Sequence, residues 1–349
     1  MLAALIDGLN RGLSLTSADV HAAVSQLTDA EVSVEQKSDF LTALARKGET
    51  AEEIRSFVSE LLQRSVAFPL DESVRSRGVL DVCGTGGDHL NTFNISTSVA
   101  LLAAAGGVFV AKHGNRAITS QSGSADVLEA LGIPIDLPAS QAAEVLRDHG
   151  FVFLMAPLYH PAFKHIAPAR RRCADQGQRT IFNFIGPLLN PARPSSQLIG
   201  VSRGDLCEPL ARVLQSLGVR RGMVVSGSTG TCSMDELSIL GDNRIAEFYQ
   251  DRGFSVSTLS PADLGLLPAS LADLAGGDKH RNAELVLNVL SGRDRGPKRD
   301  AVLLNSGAAL FVAGAVSSIA EGWELGGRWI DEGRVVAKIE ALRSVRSRS

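Results

Sequence analysis

Between residues 81 and 98, DVCGTGGDHLNTFNISTS, an apolar run breaks at Gly84, Gly86 and Gly87, and Thr92, Asn94, Ser96, Thr97 and Ser98 follow. Glycines leave backbone amides uncrowded. Hydroxyls in the first turn of a helix that opens near Ile95 add donors beside the positive end of its dipole. This chemistry suits an anion such as phosphate. The pattern is neither a P-loop, since no Gly-Lys-Ser/Thr follows, nor GxGxxG. On these residues alone, a merely tight turn is an equal reading. A second cluster, 112-KHGNRAITSQSGSADVLEALG-132, brings Lys112, His113, Asn115 and Arg116 to the end of an apolar run. Thr119, Ser120, Ser122, Gly123 and Ser124 then lead into a helical pattern at Val127, Leu128 and Leu131. Two cations, an amide and hydroxyls ahead of a helix form a second oxyanion cradle. Ser122 and Ser124 equally suit helix N-caps, and an isolated His113 is more often packed than catalytic.

The stretch 160-HPAFKHIAPARRRCADQG-177 carries Lys164, His165, Arg170, Arg171 and Arg172. Most such runs are solvated faces, but one inward arginine would hold a carboxylate through two parallel hydrogen bonds. After it, 180-TIFNFIGPLLNPARP-194 suits a connection between domains. The adjacent carboxylates of Asp235 and Glu236 in 231-TCSMDELSIL-240 suit a hard cation such as Mg²⁺, commonly shared with substrate phosphates. The competing reading is an acidic pair on the surface.

These groups need a scaffold. Apolar runs at 78–84, 107–114, 151–157, 197–202 and 222–227 alternate with helical patterns at 140–150 and 206–218. That predicts an α/β fold with a mostly parallel sheet covered by helices, whose ligands lie beyond the carboxyl ends of the strands. The first 66 residues read as helices. Thr50 and Glu53 have capping-box spacing, and Ile54, Phe57, Val58, Leu61 and Leu62 repeat on one face. Residues 303–327 read as packed helices.

With 349 residues, 44% of them hydrophobic, the chain can bury a large core, and a formal net charge of −3 gives no support to a nucleic-acid partner. Cys83, Cys173, Cys207 and Cys232 form no CxxC pair, so reduced thiols and an intracellular setting are expected. No apolar run approaches a membrane span. Asp7 within the first apolar stretch, with no basic lead-in, argues against a signal peptide.

GTGGD with NIST, KHGNR, the TSQSGSAD continuation, HPAFKHIAPAR, TIFNFIGPLLNP, DELS and NSGAAL occur in that order. In this the chain resembles the anthranilate phosphoribosyltransferase family over nearly its whole length. The resemblance implies a small N-terminal helical domain (1–67) and a larger α/β domain (68–349) of the nucleoside phosphorylase/phosphoribosyltransferase type. Residues about 170–195 are expected to pack back on the helical domain as a hinge. The implied reaction transfers the phosphoribosyl group of phosphoribosyl pyrophosphate (PRPP) to the amine of anthranilate. Magnesium is the implied cofactor, two ions per chain.

The resemblance assigns Gly84, Gly87, Asp88, Thr92, Asn94, Ser96, Thr97, Lys112, His113, Gly114, Asn115, Arg116, Ala117, Ile118, Thr119, Ser120 and Ser124 to PRPP. It assigns Gly84, Asn115 and Arg170 to anthranilate, and Ser96, Asp235 and Glu236 to the metal. It also implies a cytoplasmic homodimer joined through the helical domains, and the apolar face at Ile54, Phe57, Val58 and Leu61 is the expected contact, the other reading being that this face belongs wholly to the monomer core. A pyrimidine nucleoside phosphorylase is the runner-up, but its family carries other Lys- and Gly-rich signatures than KHGNR. A noncatalytic PRPP sensor would need no acceptor motif.

Overall fold

The structure is a computed structural model that describes residues 1–117, 121–250, 253–266 and 268–346. Helices α1 (Leu2–Asn10), α2 (Ser17–Thr28), α3 (Val34–Lys47) and α4 (Ala51–Gln63) open the chain. The capping box at the start of α4 forms as its spacing predicts. The Glu53 amide donates to Thr50 Oγ1 at 3.2 Å and the Thr50 amide to Glu53 Oε2 at 2.8 Å. The buried Glu53 carboxylate also accepts from Lys47 Nζ and from the Leu15 amide, both at 2.8 Å. One side chain thus joins the α1–α2 loop, the end of α3 and the start of α4.

Ile54, Phe57, Val58 and Leu61 do share a face of α4, but each is at most 3% exposed within the single chain. This corrects the expectation that they form a dimer contact: the face is used up in the chain's own core.

After α5 (Glu72–Arg77) come β1 (Val79–Gly84), α6 (Ile95–Ala105), β2 (Phe109–Gly114), α7 (Ser124–Ala130), α8 (Ala139–His149) and β3 (Phe151–Met155). Helices α9 (Ala156–Tyr159) and α10 (Ala167–Asp175) and two 3-10 turns (181–183, 186–189) lead to β4 (Ser196–Gly200), α11 (Cys207–Ser216) and β5 (Arg221–Ser228). Then follow β6 (Ser233–Met234), β7 (Asn243–Tyr249) and β8 (Gly253–Leu259). Helices α12 (Lys279–Leu290), α13 (Pro297–Ala313), α14 (Ile319–Asp331) and α15 (Arg334–Arg343) complete the described fold. Among the described residues no helix is long and apolar enough to cross a membrane.

The strands lie in the order β3-β2-β1-β4-β5-β7-β8, with β6 paired to β5. The run from β3 to β5 is parallel, while β6, β7 and β8 add antiparallel pairs. Successive residues of the parallel strands feed separate cores, as a two-residue period requires. Leu80, Val82, Met223 and Val225 join α6 and α13 in one core. Cys83 and Val224 join the other, which runs from Phe40 and Phe57 through Ile166, Cys173 and Ile181 to Leu210. Helices α1–α4 therefore cover one face of the sheet and share its core with α10. Lys37 of α3 strengthens that contact, its covered ammonium donating to Asp29 O at 2.6 Å and His165 O at 2.9 Å.

From β1 the chain adds β2 and β3 on one flank and β4 and β5 on the other. The order therefore reverses at β1, and the carboxyl ends of β1 and β4 flank a topological switch point, where sheets of this kind bind their ligands.

Candidate active site

Strands β1 and β4 end side by side on Gly84 and Gly200, and β5 carries Gly227 near its end. The segment 235–238 lies across all three. A Cβ on Gly84 would sit 2.1 Å from Asp235 Oδ2, one on Gly200 1.7 Å from the Asp235 carbonyl oxygen, and one on Gly227 2.6 Å from the Glu236 carbonyl oxygen. Any side chain at these strand ends would lift the acidic pair off the sheet.

The glycine-rich loop reaches the same pair. Gly86 and Gly87 take φ of 74° and 81°, the left-handed region that glycine enters without strain, and the Gly86 amide donates to Asp235 Oδ2 at 2.7 Å. Glu236 Oε1 accepts the Ser96 amide at 3.2 Å, in the first turn of α6. Burial, then the nearby charges of Asp88 and Glu236, hold the Asp235 carboxyl well above its usual range. Burial also raises Glu236, against the opposing pull of Lys112 and Ser96.

The Lys112 ammonium lies beneath this group, with the side chain 1% exposed, and donates to Val82 O at 2.6 Å and Ser96 Oγ at 3.3 Å. Asp81, fully buried in β1, accepts from Asn190 Nδ2 at 2.8 Å and from the His113 amide at 3.3 Å. Burial pushes its carboxyl up to about 6, with Lys112 and these donors pulling the other way. The cluster of Asp88, Asp235 and Glu236 around one loop is a hard, anionic oxygen donor set and fits Mg²⁺. Among the described residues no three His, Cys, Asp or Glu side chains close on a point that would hold a metal alone. A cation here would complete its shell with water and substrate oxygens.

A file of rings leads away from Lys112. His113 and His160 lie 5.4 Å apart between centroids, His160 and Phe163 5.1 Å, and Phe163 and Phe182 5.7 Å. The Arg170 guanidinium closes the file, 5.5 Å from the centre of the Phe182 ring. Arg170 is the inward arginine of its run, with burial drawing its pKa down, whereas Arg171 and Arg172 are exposed. Burial first, then His160, pulls the His113 imidazole down to about 3, so the ring is neutral at physiological pH.

The remaining predicted residues divide. Asn94 caps α6, and its Oδ1 accepts Asn282 Nδ2 at 2.9 Å. Thr97 is buried in the first turns of α6 and its hydroxyl has no partner among the described residues, while Thr92 bridges to Ala275. Ser124 opens α7 and directs its hydroxyl toward Asn115 O at 3.4 Å. The Arg116 guanidinium is turned toward α7, where it pairs with Asp126 at 3.0 Å and Glu129 at 2.8 Å. Two carboxylates one helical turn apart capture it there. Asp126 also accepts the amides of Ala117 and Gly123, both at 2.9 Å, tying both ends of that loop to α7. Ile118, Thr119 and Ser120 lie outside the described residues.

Residues 2–65 match the glycosyl transferase family helical bundle domain and residues 76–336 its a/b domain. A Petrotoga mobilis anthranilate phosphoribosyltransferase is 44% identical over 332 residues, 95% of this chain and 93% of that one. The chain belongs to the anthranilate phosphoribosyltransferase family. The crystal structure of the Thermus thermophilus member superposes with a TM-score of 0.87 at 37% identity, covering 97% of this chain and 98% of that one. The Saccharomyces cerevisiae member in complex with PRPP and Mg superposes at 0.84 and 28% identity, over 98% and 96%. The same yeast enzyme with 4-fluoroanthranilate gives 0.83 at 26%, over 98% of each chain. Membership accounts for the helical domain ahead of the α/β domain, as the resemblance implies.

Sequence reasoning misses Asp81, Asn190, Gly200 and Gly227. Asp81 has a signal, being the one charge in the apolar run VLDVC. The two glycines have none, because only the crossing of the acidic segment over the strand ends gives them a role. We expect Gly200→Ala, which places a methyl against the Asp235 carbonyl, to displace the acidic pair and lower kcat/KM about a hundredfold or more. Steady-state kinetics with unchanged circular dichroism checks this, and near-native turnover would refute the steric account.

Proposed function

We infer that this chain transfers the 5-phosphoribosyl group of PRPP to the amine of anthranilate, giving N-(5-phosphoribosyl)anthranilate and pyrophosphate in tryptophan biosynthesis. The observation that carries this reading is the meeting of the glycine loop, the first turn of α6, Lys112 and the acidic pair at the switch point. PRPP takes Gly84, Gly87, Asp88, Thr92, Asn94, Ser96 and Thr97 together with the 112–120 segment and Ser124. Anthranilate takes Gly84, Asn115 and Arg170, with Arg170 holding the carboxylate and the rings of Phe163 and Phe182 beside it.

Displacement at an anomeric carbon builds positive charge on the ribose and negative charge on the departing pyrophosphate. The task of the site is to meet that charge with preorganised donors and to place the nucleophile. Lys112 supplies a fixed cation held by Val82 O and Ser96, and the loop amides add uncharged donors. Ser96, Asp235 and Glu236 would hold magnesium, two ions per chain, and its charge would neutralise the pyrophosphate. The aromatic amine is neutral at pH 7, so attack needs no strong base. The depressed pKa of His113 agrees with a neutral ring that lines the passage between the substrates.

The division at residue 67, the hinge at 170–195 and a cytoplasmic homodimer belong to the same proposal. With the inner face of α4 buried, the dimer rests on the family resemblance, and a monomeric mass by light scattering at micromolar protein would remove it.

Asp235→Ala combined with Glu236→Ala should cost several kcal/mol of transition-state stabilisation, the scale of metal-based charge neutralisation. Activity within a few-fold of native would sink the metal assignment. The two halves of the site should also separate kinetically. Arg170→Ala should raise the KM for anthranilate and leave PRPP affinity little changed, since it deletes a charge-assisted pair made only with the acceptor. Lys112→Ala should weaken PRPP and lower kcat. Calorimetric titration with PRPP and steady-state assays in anthranilate distinguish them, and a loss of PRPP affinity in Arg170→Ala equal to its loss for anthranilate would overturn the clamp.

A further inference from the structure

Past β6 the chain leaves the sheet, so the backbone groups of Leu237 and Ser238 have no ladder to join, yet both residues are 0% exposed. Buried backbone amides and carbonyls must still be paired. Two asparagines do this. Asn305, on α13, accepts the Leu237 amide on Oδ1 at 2.9 Å and donates Nδ2 to Leu237 O at 2.8 Å and to Ala301 O at 2.9 Å. Asn243, at the start of β7, accepts the Ser238 amide at 2.6 Å and donates to Ser238 O at 2.9 Å. Each side chain therefore pairs both backbone groups of one residue, as a neighbouring strand would. Only asparagine or glutamine offers an acceptor and two donors on one planar group, and the pattern fixes which end of each amide is oxygen.

We propose that Asn305 and Asn243 are positioning residues of the metal and pyrophosphate site, holding Asp235 and Glu236 against the glycine ends of β1, β4 and β5. The strand ends set how close the acidic segment comes, and the asparagines keep it from lifting away. The clamp grips the two residues directly after Glu236, so a rotation there is passed to both carboxylates. Asn305 transmits the position of α13 and Asn243 that of β7, and the pair is referenced to two elements that contribute no ligand of their own. This inference rests on the reading of Asp235 and Glu236 as metal-holding residues.

The test is Mn²⁺ binding in the presence of PRPP, followed by electron paramagnetic resonance. Mn²⁺ takes the same hard oxygen ligands as Mg²⁺. Asn305→Ala and Asn243→Ala should each weaken Mn²⁺ by about tenfold or more, the usual cost of losing a group that orients a ligand. The KM for PRPP should rise in parallel, and the KM for anthranilate should stay within about twofold. Should either alanine variant fail to fold by circular dichroism, Asn305→Ser and Asn243→Ser carry the same test. Asp235→Asn with Glu236→Gln is the reference: native Mn²⁺ affinity in that variant removes the metal reading itself. If the reference variant loses Mn²⁺ while folded asparagine variants bind it as the native chain does, with only a lower unfolding temperature, the asparagines are structural and the clamp is overturned.

Discussion

Lys112 puts a positive charge under the carboxyl ends of β1 and β2, where the side chain is 1% exposed. An ammonium removed from water is costly unless paired and hydrogen-bonded. Here Val82 O and Ser96 Oγ take its protons, while the carboxylates of Asp81 and Glu236 supply opposing field. The negative groups outnumber it. Asp88, Asp235 and Glu236 crowd one loop, and burial raises the last two above their usual range. These carboxyls are hard oxygen donors whose mutual repulsion a divalent cation would relieve. The donors proposed to meet the leaving group are thus held in place before substrate enters, which is the condition for preorganised stabilisation.

In the proposed assignment the two substrates fall to different parts of the architecture. The pyrophosphate side is built from strand ends, the first turn of α6 and the acidic segment, all referenced to the sheet. Arg170 instead rides on α10, whose buried face at Ile166, Ala169 and Cys173 belongs to the core shared with α3 and α4. Lys37 fixes His165 O at the same boundary. The placement of Arg170, the proposed acceptor clamp, therefore depends on how the helical domain sits on the sheet, and the placement of the proposed phosphate donors does not. The ring file from His113 to Phe182 is the physical link between the two halves.

Much of this arrangement is legible in the amino-acid sequence, for identifiable reasons. Parallel strands covered on both faces have no polar side, so β1 to β5 read as apolar runs. Their ends carry chemistry in compact clusters that stand out from the background. β7 and β8 do not stand out, since β8 is largely exposed and polar and alternates only weakly. Asp81 and Asn190 meet across 109 positions, a pairing no local pattern announces. The choice among Arg170, Arg171 and Arg172 does have a signal. Ile166, Ala169 and Cys173 form an i, i+3, i+7 stripe that places Arg170 beside the buried face and turns the other two outward. The buried face of α4 shows the opposite limit, since an amphipathic stripe identifies an inner side without saying whether that side meets the same chain or another.

Arg116 shows how weakly a resting geometry can constrain a bound one. Its guanidinium is about half exposed, as is Glu129, while Asp126 is more covered. Solvent-exposed pairs of this kind are weak, since water screens the charges and two long side chains must be held in one geometry. A pyrophosphate with its phosphoribose offers several charged oxygens to which a guanidinium can donate. The ion pairs on α7 therefore do not bar Arg116 from a polyphosphate. They hold the arginine at the rim of the loop that Asp126 ties down at Ala117 and Gly123, one short loop away from the strand end where Lys112 waits.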